Sequence, residues 1–150
     1  MTFRRAVEET ANLGARAYRP GIQALENVDR ARIACAKPRN LSGSVNVDST
    51  LAPIFRNDNR WDYAVGYRRP REIVYWIEVH PASQGDIITI SAKLAWLQGW
   101  LANVGHRFRQ IDARFVWISS GRTTFTPGSP ALKRLALQGV QVVGRMLTIG

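Results

Sequence analysis

The segment from Glu72 to His80, with the sequence EIVYWIEVH, constrains the fold of this chain more than any other segment. It is nearly continuous in apolar residues, which is typical of a central strand covered on both faces. Residues two apart in a strand face the same side, so Glu78 and His80 point the same way as Trp76. The sequence therefore places an acid and an imidazole at the end of a core strand.

The rest of the chain predicts four helices and four more strands. Helices are predicted at 3–17, with Thr2 as N-cap, and at 20–36, 86–104 and 129–139. Strands are predicted at 41–49, 60–68, 113–121 and 140–149. Because strand–helix–strand steps require parallel crossovers, we expect an α/β fold with a mixed central sheet flanked by helices.

A single domain is predicted for residues 1–150. Residues 1–19 form an N-terminal helical extension in this interpretation. Residues 20–150 form the core, in the order α-β-β-β-α-β-α-β.

The charge balance indicates the kind of partner. The chain carries 18 Arg, 3 Lys and a net charge of +10, which favours a polyanion such as nucleic acid. The single Cys35 excludes an intramolecular disulfide and fits a reducing compartment, so a cytoplasmic location is expected. No apolar run approaches the roughly 18 residues of a membrane span, and no leader pattern is present, so we expect no membrane association.

The strand before the central strand is predicted to pair with it in a tight hairpin. A turn centred on Pro70 places Ala64 opposite Trp76, a small residue against a large one. The same register sets Asp62 opposite Glu78, with Cβ atoms roughly 5 Å apart. Two buried carboxylates at that separation repel each other, so a positive partner is needed. A divalent cation such as Mg²⁺ or Mn²⁺, an arginine and a proton shared by the acids each meet that need.

Two more charged side chains are predicted near that pair. On the helix at 20–36, Glu26 falls on the apolar, inward stripe. On the helix at 86–104, Lys93 lies at the margin of the apolar stripe and can reach the rim of the sheet. Purely structural interpretations also stay open. Glu26 is then a surface residue in an ion pair, Lys93 a solvated flanking residue, and His80 a hydrogen-bonded structural imidazole.

The motif formed by Asp62 in RWDYAVGY and by Glu78-Val79-His80 in YWIEVHPA, on consecutive strands after a helix, resembles that of the PD-(D/E)xK nuclease superfamily. The resemblance covers about residues 20–149 and implies a restriction endonuclease-like fold. It also implies hydrolysis of phosphodiester bonds in nucleic acid with Mg²⁺ or Mn²⁺ as cofactor. The implied metal ligands are Asp62, Glu78, the carbonyl of Val79 and Glu26.

His80 stands where this family has its motif lysine. Lys93 matches a variation in which the lysine lies on the following helix, so the resemblance implies that His80 or Lys93 positions or deprotonates the attacking water. Because a histidine supplies less positive charge near neutral pH, three alternatives stay open. The chain is a variant Mg²⁺-dependent endonuclease, an inactive nuclease-like module that binds nucleic acid or a protein, or an unrelated α/β domain that oligomerises through Trp96 and Trp100.

Arginine-rich segments are the predicted contacts to the phosphate backbone. The residues in question are Arg68, Arg69, Arg71, Arg107 and Arg109. A homodimer is a further expectation, which comes from the resemblance.

Overall fold

The structure is a computed structural model that describes residues 1–126 and 128–150. The α-helices of this part of the chain are α1 (Phe3–Glu9), α2 (Asn27–Arg30), α3 (Val47–Leu51), α4 (Asp86–Asn103) and α5 (Pro130–Leu137). The strands are β1 (Ile33–Cys35), β2 (Leu41–Asn46), β3 (Tyr63–Arg68), β4 (Glu72–Ser83), β5 (Asp112–Thr124), β6 (Val140–Val142) and β7 (Leu147–Ile149). Short 3-10 turns lie at Ala15–Ala17, Pro38–Asn40 and His106–Gln110.

Five of these strands form one mixed sheet in the order β2-β3-β4-β5-β6. β2, β3 and β4 are antiparallel neighbours, whereas β4, β5 and β6 are parallel and are joined by crossovers that contain α4 and α5. β1 and β7 form a separate parallel pair. The predicted α/β class, with a mixed sheet flanked by helices, is confirmed.

The predicted hairpin register between β3 and β4 is also confirmed. Ala64 pairs with Trp76, and Gly66 pairs with Val74. The small residues of this strand have a packing reason: a Cβ atom at Gly66 would lie 2.4 Å from Cγ of Phe3. The first helix can therefore lie directly on the strand.

The two faces of the sheet have different covers. The face with Trp76 and Trp117 packs against α1, α4 and α5 in one apolar cluster, which includes the predicted α4 stripe residues Ile90, Leu94, Leu97 and Leu101. We call it the helical face. The opposite face, with Val65 and Ile77, is covered by the β1–β7 pair and by Leu25. Glu78 follows Trp76 at the next position on the helical face.

The predicted helix at 20–36 is wrong. Only α2 is helical there. Gly21 takes a φ of +53°, which interrupts a right-handed helix, and Ile33 pairs with Leu147 in a parallel ladder. Ile33 is therefore partly buried by a distant strand and not by the face of a helix. Long-range strand pairing overrides the local helical spacing.

Other boundaries also differ from the prediction. The strand predicted at 60–68 begins at Tyr63, and the strands predicted at 72–80 and 113–121 continue to Ser83 and Thr124.

Three further elements end early or divide. The helix predicted at 3–17 ends at Glu9, where the Thr10 hydroxyl donates to the Ala6 carbonyl; its N-cap, Thr2, is confirmed. The strand predicted at 41–49 ends at Asn46, whose side chain caps α3. The strand predicted at 140–149 is two strands, because Gly144 adopts a φ of +78° and turns the chain from β6 to β7.

None of the helices in the two described ranges is long and apolar enough to cross a membrane.

Candidate functional site

Asp62 and Glu78 meet just before β3 begins, beside the middle of β4, which continues to Ser83 rather than ending at His80 as predicted. The hydrogen-bonded ladder stops at the Tyr63–Ile77 pair, one position before the two acids. Asp62 leaves the ladder, and its Oδ2 accepts a hydrogen bond from the Val79 N–H at 2.9 Å. Glu78 is fully buried, with 0% of its surface exposed. The two carboxylates therefore lie on the same face at the same end of the sheet, as predicted.

Lys93 reaches this pair from α4. Its Nζ lies 2.7 Å from Oε2 of Glu78, and its side chain is largely shielded from solvent. Its position at the margin of the apolar stripe explains the contact, because neighbouring Ile90 and Leu94 anchor the helix on the sheet. The other oxygen of Glu78, Oε1, is buried and accepts no hydrogen bond from any described residue. The site thus contains a buried acceptor without a donor.

His80 lies between two acids. Its Nδ1 is 3.7 Å from Oε2 of Glu78, and its Nε2 is 3.1 Å from Oδ1 of Asp86. Asp86 starts α4 and accepts from both the N–H and the hydroxyl of Ser83. The Ser83 hydroxyl keeps the pKa of Asp86 below its usual value, so Asp86 is an ionised acceptor for the His80 ring. A proton on Nε2 then leaves a lone pair on Nδ1, on the side of Glu78.

Asp86 is not among the residues predicted for the site. The available signal was its position: an acid in the first turn of a helix, three residues after Ser83, is a recognisable helix-start pattern. That pattern places the Asp86 carboxylate beside the end of β4, where His80 is.

The negative charge of the acid pair is only partly compensated by nearby positive charge. Burial, opposed by Lys93 and by the Val79 N–H, raises the pKa of Asp62 to about 6. Burial and repulsion by Asp62, opposed by Lys93, raise the pKa of Glu78 to about 8. One ammonium group does not compensate two desolvated carboxylates, so the site favours an additional cation or a proton.

Glu26 is not brought to this pair. The helix that was to carry it inward is not formed, and its side chain is exposed just before α2. Its main-chain N–H donates to the Tyr63 hydroxyl, which itself donates to Oδ2 of Asp29 at 2.6 Å. Tyr63 belongs to the cluster on the face opposite Glu78. Two acids earlier in the chain, Asp48 and Asp29, contribute through their negative charges to the raised pKa of Asp62.

The five predicted phosphate-binding arginines lie at the opposite end of the sheet. Arg68 ends β3, six residues from Asp62, which corresponds to about 20 Å along an extended strand. Arg69 and Arg71 form the hairpin turn beside it. Arg107 and Arg109 lie in the 3-10 turn before β5, whose first residue pairs with Ile73 next to that turn.

The acid pair offers carboxylate oxygens, which are the type of ligand that Mg²⁺ prefers. No group of three or more His, Cys, Asp or Glu side chains within 1–126 and 128–150 is arranged to hold a metal ion. Mg²⁺ does not require such a group, because it keeps several waters and binds through one or two carboxylates. The orphaned Glu78 Oε1 and the adjacent Asp62 supply oxygen ligands of that kind.

Comparisons of the chain with protein-family models, with curated proteins and with solved structures gave no match in any of the three. Function is therefore inferred from the geometry of the site.

The raised pKa values predict how stability depends on pH in a metal-free buffer. Both acids bind protons more tightly in the folded state than in the unfolded state. The free energy of unfolding is therefore highest near pH 4 and falls by several kcal/mol as the pH rises to about 8. Guanidinium denaturation at several pH values in EDTA measures this. Glu78→Gln removes most of the slope; an equal slope in both proteins would contradict the account.

Proposed function

We propose that this protein is a metal-dependent hydrolase of phosphodiester bonds in nucleic acid. The observation that carries the proposal is the convergence of Asp62 and Glu78 beside Lys93, with Oε1 of Glu78 unpaired. The net charge of +10 supports a polyanionic substrate. The resemblance of the strand motif to the PD-(D/E)xK nucleases supports the same reaction class.

Asp62 and Glu78 would hold Mg²⁺ or Mn²⁺ together with the main-chain carbonyl of Val79. A cation of this kind, when bound, lowers the pKa of a coordinated water and neutralises charge at the phosphate. Asp62 is oriented for this role by its bond from the Val79 N–H, which occupies Oδ2 and leaves Oδ1 for a further contact.

The remaining side chains supply charge and a proton acceptor. Lys93 holds an ammonium group at the acid pair and opposes the negative charge that accumulates there. His80 accepts the proton of the attacking water at Nδ1, while its Nε2–H donates to Asp86. Asp86 thereby orients the His80 ring, as the aspartate of a Ser-His-Asp triad orients its histidine.

A second candidate function is an inactive nuclease-like module that binds nucleic acid or a protein. The observation that favours it is the 2.7 Å ion pair between Lys93 and Glu78, which already neutralises one of the two acids. The two candidates differ in one measurable property: only the first predicts turnover that depends on both acids.

Asp62→Asn and Glu78→Gln are each expected to lower cleavage of supercoiled, linear and single-stranded DNA or RNA roughly 100-fold or more, because each removes an anionic oxygen ligand. Cleavage is measured with Mg²⁺, with Mn²⁺ and with EDTA. Asp112→Asn, an exposed acid at the other end of the sheet, is the matched control and should retain activity. Binding without cleavage by the parent protein in every metal would reject the hydrolase and favour the module.

His80→Ala is expected to lower kcat roughly 100-fold with little change in KM, because the proton acceptor acts in the transition state. The other histidine of the chain, His106, lies exposed in the 3-10 turn far from the acids, so His106→Ala is the matched control. Steady-state kinetics on one defined oligonucleotide measures both. Full activity in His80→Ala would assign the proton transfer to another group.

A further inference from the structure

We infer that the hairpin end of the sheet carries a separate phosphate-binding cleft for nucleic acid, formed by Arg4, Arg39 and Arg68. The cleft lies about 20 Å from the acid pair, by the length of β3. Its binding role does not depend on hydrolysis. It depends on the proposed function only for the identity of the polymer.

The cleft has a defined shape and lining. Its volume is about 530 Å³, and it lies between α1, the 3-10 turn at Pro38–Asn40 and the end of β3. The three arginines come from these three separate elements and line one concave surface. Asn40 adds a side-chain amide to the same lining.

Two of the three arginines in the cleft carry a positive charge that no acid neutralises. Neither Arg39 nor Arg68 forms an ion pair with any residue of the described ranges, and both are exposed. Arg4 pairs with Glu8 and lies over the Tyr18 ring, 4.8 Å from its centroid, which holds the guanidinium in place.

The acid that lines the cleft is Glu72, and both of its carboxylate oxygens accept hydrogen bonds. Its Oε2 accepts from the Ser42 hydroxyl at 2.6 Å, and its Oε1 accepts from the Phe3 N–H at 3.4 Å. Glu72 thus ties α1 and β2 to β4, and the excess charge of the cleft stays positive.

Phosphate groups of a polymer are the chemistry that fits this arrangement. The planar guanidinium matches a phosphate with two parallel hydrogen bonds. The positive surface continues from the cleft onto Arg69 and Arg71 of the hairpin turn, further than one phosphate extends. A nucleic acid that contacts both this surface and the acid pair must span about 20 Å, which is about six base pairs at 3.4 Å per step.

The test is the binding of a fluorescent duplex longer than about six base pairs. The protein carries Asp62→Asn and Glu78→Gln and is measured in EDTA, so cleavage does not interfere and a failure of the hydrolase proposal does not affect the readout. In this background, Arg39→Ala with Arg68→Ala is compared with Lys133→Ala with Arg134→Ala. The control pair removes the same charge from the exposed surface of α5, on the far edge of the sheet.

The cleft variant is expected to weaken binding roughly 10- to 100-fold near 0.1 M salt. It should also reduce the slope of log K against log salt by about 2, one unit for each lost phosphate contact. Equal losses in the cleft and control variants would overturn the inference, since only total charge would then matter. Inorganic phosphate at low millimolar concentration should not displace the duplex. Complete displacement would overturn the polymer assignment and identify a site for one free phosphate.

Discussion

The burial of Glu78 beside Asp62 is the constraint on which the site depends. A carboxylate with no exposed surface lies in the middle of the core strand β4, next to a second, largely desolvated carboxylate, and a single ammonium group lies beside the pair. Repulsion and desolvation both favour the neutral acids, so a bound cation or an added proton stabilises the pair. A protein selected for stability alone would replace Glu78 with an apolar residue of similar size. A buried acid such as Glu78, with one carboxylate oxygen that accepts no hydrogen bond, is typical of a functional site.

The sheet separates two kinds of chemistry along its strands. Acids, imidazole and lysine gather where the parallel strands β4 and β5 approach their carboxyl ends, the usual position of ligand sites in α/β sheets. The arginines of the hairpin turn and of the segment before β5 gather at the other end. Arg68, Arg69 and Arg71 lie about 20 Å from the acid pair along β3, which is too far to neutralise it, so their charges remain free to bind a polyanion.

The sequence predicted what local pattern and pairing geometry determine. The register of β3 and β4 followed from a short turn and from alternating small and large residues, so Asp62, Glu78 and Lys93 could be placed together correctly. The helix predicted at residues 20–36 was wrong because Ile33 pairs with Leu147, more than a hundred positions away. Local residue spacing cannot indicate a partner that far along the chain. The inward placement of Glu26 failed with that helix. The partner of Glu72 was also beyond the sequence, since Ser42, thirty positions away, reaches it only through the fold.

Anomalous diffraction from crystals soaked in Mn²⁺ tests the central claim most directly, because it locates the cation without reference to any substrate. We expect one strong peak between the Asp62 carboxylate and Oε1 of Glu78, lost in crystals of the Glu78→Gln protein. An empty acid pair, with Lys93 still bound to Glu78 and Oε1 enclosed by apolar side chains, would contradict the account. The α/β fold and its basic cleft would remain without a hydrolytic site.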